Sequence, residues 1–279
     1  MLENEIIASQ RKSWDTYSKG WDKWDDIIAA SILPVAIKMI EVLELTGSEH
    51  ILDVASGTGE PGIRIAPTLT SGKVTGCDLS EQMVIIANRK ASEKGVNNYS
   101  SICCDATEMP FEDNTFDHVM CRFGIMFFPD MVKGVSEMRR VVKPGGKIIL
   151  AVWGEPANNQ FLTLLAGTAK MVLDLPDPPP DSPGVFRCHL SGTTARVMTD
   201  AGLQKADEIT FSDSSEFESE EVYWSIMSEV AGPVMDKIAK APPEMQDKVK
   251  QQVLLNASKY ISDGKLITPW QTYIATGIK

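Results

Sequence analysis

Histidine, long apolar runs and clustered positive charge are scarce in this chain. Its three histidines, His50, His118 and His189, stand apart from one another, and no Cys/His set has the spacing of metal ligands. Five cysteines, an odd number, argue against a disulfide framework. Cys77, Cys103, Cys104 and Cys121 lie in or near apolar, strand-like runs and read as reduced core thiols. Cys103 and Cys104 are adjacent in a strand, so their side chains point to opposite faces and cannot chelate together. The most apolar early run, Ile27 to Ile37, contains Ser31 and Pro34 and is too short to span a bilayer. The opening MLENEIIASQRK is too charged for a signal peptide, so a cytoplasmic protein is the expectation. Net charge is -11 and no dense Lys/Arg run relieves it. Such a chain repels phosphate backbones and anionic lipid, which disfavours nucleic-acid partners and membrane association.

What is present is an ordinary globular composition, 43% hydrophobic and 23% charged, over 279 residues. That length suits one large domain or a domain with an elaborated cap. The stretch from His50 to Asp78 organises the rest. Ile51, Leu52, Val54 and Ala55 form a short apolar run, as in a strand buried on both faces. Ser56-Gly57-Thr58-Gly59 breaks it, and Pro61 suits the first turn of a helix. Val74 to Cys77 is a second strand, with Asp78 at its carboxyl end. Ser80 caps a helix over 81–94. Strands follow at 99–104, 116–122 and 147–153, with a helix capped by Asp130 between the last two. Strands alternating with helices predict an α/β, Rossmann-like doubly wound sheet, mostly parallel.

Outside that core the pattern is helical. Residues 1–45 form an N-terminal helical lid in which Trp14, Tyr17, Trp21, Trp24 and Ile28 share one face. Gly20 weakens this helix and allows two segments. Residues 46–154 are the core. Residues 155–267 form a helical cap that returns to the core at 191–213, through a helix ending at Gly202 and a strand at 206–212. Pro233 and Pro242-Pro243 divide its later part into two or three helices. Residues 268–279 make the final, antiparallel core strand.

Two ligands suit the glycine-rich turn. Gly57-Thr58-Gly59-Glu60-Pro61-Gly62 matches the dinucleotide pattern G-x-G-x-x-G, with Asp78 at the distance of a ribose-binding acid. Asp53-Val54-Ala55-Ser56-Gly57-Thr58-Gly59 also resembles the D/E-x-G-x-G-x-G motif of class I S-adenosylmethionine (SAM) methyltransferases. Three further segments resemble the later motifs of that family in the same order. They are Asp105-Ala106 with Met109-Pro110-Phe111, Asn114 to Val119, and Glu137 to Lys147 with its Lys143-Pro144-Gly145-Gly146 turn. The set spans roughly residues 45 to 153 and is most similar to the ubiquinone/menaquinone-biosynthesis-like group of small-molecule methyltransferases.

The resemblance implies SAM as cofactor and a small, partly hydrophobic methyl acceptor held between core and cap. It implies that Ala55, Ser56, Gly57 and Gly59 form the close-approach loop, and that Asp78 accepts from both ribose hydroxyls. Leu79 and Met83 would flank the adenine, and Asp105 with Ala106 would meet its amino edge. Cys121, Arg122 and Phe123 would pass the methionine part, with Tyr17 and Trp21 closing over it. Ala55 departs from the family's first glycine by one methyl. Phe127 and Phe128 read as packing or as substrate wall. A base is needed only if the acceptor must lose a proton, and His189, in the cap after the proline-rich connector, is the candidate. Two other functions remain open at this level: a SAM-binding protein with a cyclase or regulatory role, and an NAD-dependent oxidoreductase. The last rests on Gly57, Gly59 and Gly62 alone.

Overall fold

The computed structural model describes residues 3–279. Eight strands form one sheet: β1 (His50–Val54), β2 (Lys73–Asp78), β3 (Tyr99–Cys103), β4 (His118–Arg122), β5 (Lys147–Trp153), β6 (Gln204–Phe217), β7 (Ile261–Ser262) and β8 (Lys265–Ile278). Their order is β3-β2-β1-β4-β5-β8-β6, with the short β7 paired to β8. The first five are mutually parallel. β8 runs antiparallel to both of its long neighbours, β5 and β6. The apolar runs explain the interior: Ile51, Leu52 and Val54 of β1 and Ile148 to Val152 of β5 are closed to solvent. Because the chain reverses direction across the sheet after β3, a crevice opens beyond the carboxyl ends of β1 and β4.

The helices are α1 (Glu3–Lys23), α2 (Asp25–Ser31), α3 (Leu33–Leu43), α4 (Gly62–Ile65), α5 (Glu81–Glu93), α6 (Met131–Val141), α7 (Gln160–Leu173), α8 (Thr193–Asp200), α9 (Glu220–Val230), α10 (Gly232–Ala239) and α11 (Pro243–Ala257). α5 packs on β2 and β3, α3 on β4 and β5, and α8 on β6 and β8. α7, α9, α10 and α11 pack mainly on one another, and α1 lies between α5 on one side and α9 and α10 on the other. Ser80 and Asp130 cap α5 and α6 as their sequence positions predict, accepting from Met83 N and Lys133 N.

Several boundaries differ from the sequence expectation. The N-terminal region breaks at Trp24 and Ile32, not at Gly20. Gly20 sits inside α1 because a side chain there would collide with the Glu229 carbonyl of α9. β6 continues to Phe217, well past Ser212, because β8 pairs with it as far as Leu266. His50 is half-buried against the Phe116 ring, with centroids 4.5 Å apart. Burial pushes its pKa down to about 4.

Candidate active site

The glycine loop follows β1 directly. Ala55, Gly57 and Gly59 all take positive φ, at 55°, 52° and 102°. Such angles cost a side-chain-bearing residue about 1–2 kcal/mol, which is why glycine recurs here. Ala55 is accommodated by its neighbour: a side chain on Gly124 would strike the Ala55 methyl, and glycine leaves that space free. The space where Gly57 would carry a Cβ is open, whereas a Cβ on Gly59 would press on Ile63 and Ala87. A Cβ on Gly62 would meet Tyr99, Asp53 and Val74, so this glycine serves packing behind the loop.

Asp78 ties the loop to β2. Its two carboxylate oxygens accept separately, from Gly57 N at 2.8 Å and from Ser80 N at 2.9 Å. The residue is 9% exposed. Burial raises its pKa, and the hydrogen bonds from Ser80 and Gly57 pull the other way. Asp53 lies deeper, accepts from Gly62 N at 3.2 Å and is pushed up to about 7 by burial, against the pull of Arg122. Arg122 donates to the Glu60 carbonyl at 3.0 Å. Its buried guanidinium is lowered by desolvation, with Glu60, Asp53 and Asp25 as compensating charges.

Asp78 and Arg122 border a cleft of about 180 Å³. One side is the loop, Ala55 to Thr58 with Glu60; next come Cys77, Asp78 and Leu79 at the end of β2, with Met83 of α5. Cys104, Asp105 and Ala106 follow β3, and Arg122, Phe123 and Gly124 follow β4. The turn Phe127–Pro129 and the α1 residues Ile7, Gln10, Trp14 and Trp21 close the other side, with Ile32. Trp14 meets Phe127 edge-on at 5.1 Å and Trp21 at 6.4 Å. Asp105 accepts from the backbone and hydroxyl of Thr107, at 2.8 and 2.9 Å, which fixes its carboxylate at the rim.

Most of the residues singled out in the sequence thus meet at one cleft: Ala55, Ser56, Gly57, Asp78, Leu79, Met83, Asp105, Ala106, Arg122, Phe123 and Trp21. Four do not border it. Gly59 faces Ile63. Tyr17 turns to the cap, donating to Asp236 of α10 at 2.5 Å, and its phenol is pushed up to about 12 by burial and by that carboxylate. Cys121 is fully buried beneath Gly124, its thiol pushed up to about 12 by desolvation. His189 pairs with the Phe186 carbonyl at 2.7 Å in the connector before α8. The sequence reasoning missed Trp14 as a lining residue, although its seven-residue spacing from Trp21 places both on one helical face. It also missed Thr58, whose flanking glycines were the available signal.

A crevice at the switch point of a parallel sheet, a glycine loop beneath it and an acid at the end of β2 define a Rossmann-like site for a cofactor that carries an adenosine, as SAM does. The donor set fits that cofactor, with carboxylates at two strand ends, open space above Gly57 and apolar side chains between. The ubiE/COQ5 methyltransferase family matches residues 9–178, and the chain belongs to it. A demethylmenaquinone methyltransferase from Staphylococcus aureus (strain MRSA252) is 32% identical over 178 residues, 63% of this chain and 73% of the relative. The same fold occurs in YcgJ from Bacillus subtilis, with a TM-score of 0.58, 20% identity and 88% and 97% of the two chains covered. It occurs also in Haemonchus contortus phosphoethanolamine N-methyltransferase 2 in complex with SAM, with a TM-score of 0.54, 19% identity and 88% and 52% coverage. The protein is therefore a SAM-dependent methyltransferase, and the NAD-dependent alternative falls with the family assignment. Among the described residues no helix is long and apolar enough to cross a membrane.

Proposed function

We propose that this methyltransferase acts, in the cytoplasm, on a small, partly hydrophobic molecule held between the sheet and the helical cap. The observation that carries this reading is the two-ended cleft. Its polar end is made by Gly57, Asp78 and Asp105, and its aromatic end by Trp14, Trp21, Phe127 and Phe128. A cofactor with hydroxyls and an amino group suits the first, and an apolar acceptor suits the second. In this arrangement Asp78 takes the ribose hydroxyls, Leu79 and Met83 flank the adenine, Asp105 meets its amino edge, and Arg122 and Phe123 border the methionine part.

When bound, SAM supplies a methyl group on a positively charged sulfur. The chain's own contribution is placement: the loop and Asp78 hold one reactant, and the aromatic walls hold the other in line and exclude water. His189 takes no part, because it lies off the cleft. The staphylococcal relatives are named for demethylmenaquinone. Here the family match ends at residue 178, so α8 to α11 fall outside it. Of those helices, α9 and α10 support α1, and with it the acceptor end.

The test is transfer of label from methyl-labelled SAM to an organic extract of cells, followed by mass spectrometry of the labelled product. A labelled small apolar compound is expected. Label appearing only in protein or nucleic acid would remove the proposal.

A further inference from the structure

The geometry points to Asp25, on the N-terminal helices, as a residue that positions the glycine loop for cofactor binding through Thr58 and Lys90. Thr58 stands between Gly57 and Gly59, both at positive φ, and borders the cleft. Its hydroxyl donates to Asp25 at 2.5 Å, and its carbonyl accepts from Lys90 Nζ at 3.0 Å. Lys90, on α5, in turn pairs with the other oxygen of Asp25. The two charged side chains are only 8% and 9% exposed. Three distant stretches, α2, the loop and α5, thus converge on one buried polar cluster.

A buried ion pair is a poor device for stability alone, since well-packed apolar side chains of similar size commonly do as well. What apolar side chains cannot do is satisfy the hydroxyl and carbonyl of Thr58 in the interior. Two residues of α1 reach the same rim. Arg11 donates to the Leu79 carbonyl at 3.2 Å, and Asp15 accepts from Ser80 Oγ at 2.6 Å and Gln82 N at 3.3 Å. The N-terminal helices therefore hold both the loop and the turn after Asp78. Their docking and the ordering of the cofactor loops are one event, and ligand binding must in turn favour docking. This coupling does not depend on which acceptor is methylated.

The test needs no acceptor. S-adenosylhomocysteine (SAH) is titrated calorimetrically into wild type, Thr58→Val and the double variant Asp25→Leu/Lys90→Met, and amide exchange of residues 55–60 is followed without ligand. The double variant removes both charges together and so leaves no lone buried ion. Its dissociation constant is expected to rise about tenfold or more, with faster exchange in the loop and a folded state that melts several degrees lower, because the Thr58 hydroxyl and carbonyl lose their partners. Thr58→Val is expected to show a smaller rise. Wild-type affinity in the folded double variant overturns the proposal; if that variant does not fold, wild-type affinity in Thr58→Val does so.

Discussion

Ala55 shows how single residues set the loop. It holds a backbone angle of 55° that glycine adopts without strain, and its methyl occupies room left by Gly124. Ala55→Gly is expected to raise stability by about 1 kcal/mol, because relief of the left-handed strain outweighs the added freedom of the unfolded chain. Chemical denaturation at neutral pH would show it, and a lower midpoint would mean that the methyl is held by packing not visible in these contacts. At this scale much of the site was readable from the residues. A carboxylate ending a buried strand and glycines after another have few purposes, so Asp78 and Gly57 stood out by position, whereas Asp105, after the edge strand β3, stood out only through the family resemblance. Tyr17 could not be placed, because its partner, Asp236 on α10, comes from a remote stretch; His189 is held locally by the Phe186 carbonyl, in a connector whose path no periodicity fixes.

Among elements, α1 carries the most consequence. It is clamped on one side by Arg89 to Asp22 and on the other by Glu229, which accepts from Lys23 at 2.6 Å and from Trp24 Nε1 at 3.1 Å. Gly20 lets α1 approach the Glu229 backbone. Two effects oppose each other in Gly20→Ala. Helix propensity favours alanine by about 1 kcal/mol, while the collision costs roughly 1–3 kcal/mol or undocks the helix. The collision is expected to win, with a melting temperature several degrees lower; a rise would show that α1 can shift to take the methyl. Sequence alone offered the propensity argument, which is why two segments divided at Gly20 were left open. The aromatic ladder was equally hidden. Phe123 stacks on Trp153 at 4.1 Å, and the series continues through Phe161 and Phe217 to Tyr223 in α9. It joins the cleft to the cap across residues up to a hundred apart in the chain. The extended β6 belongs with it, since Phe217 ends a strand whose alternation is masked by polar residues on an open edge.

At the scale of the molecule, the parallel core was legible because the apolar runs of β1, β4 and β5 are buried on both faces and the turns between elements have their own chemistry. The cap was not, because its helices gain their partners only in three dimensions. The cleft belongs to both parts: its polar end comes from the core and its aromatic end largely from α1, which the cap holds in place. The whole account depends on the core end receiving SAM through Asp78. Calorimetric titration of SAH into wild type and Asp78→Asn tests this most directly. Wild type is expected to bind with a dissociation constant on the order of tens of micromolar or tighter, and Asp78→Asn about ten- to hundredfold more weakly, as the charge-assisted hydrogen bonds to the ribose are lost. No binding to wild type, or equal affinity in a folded Asp78→Asn, would contradict it.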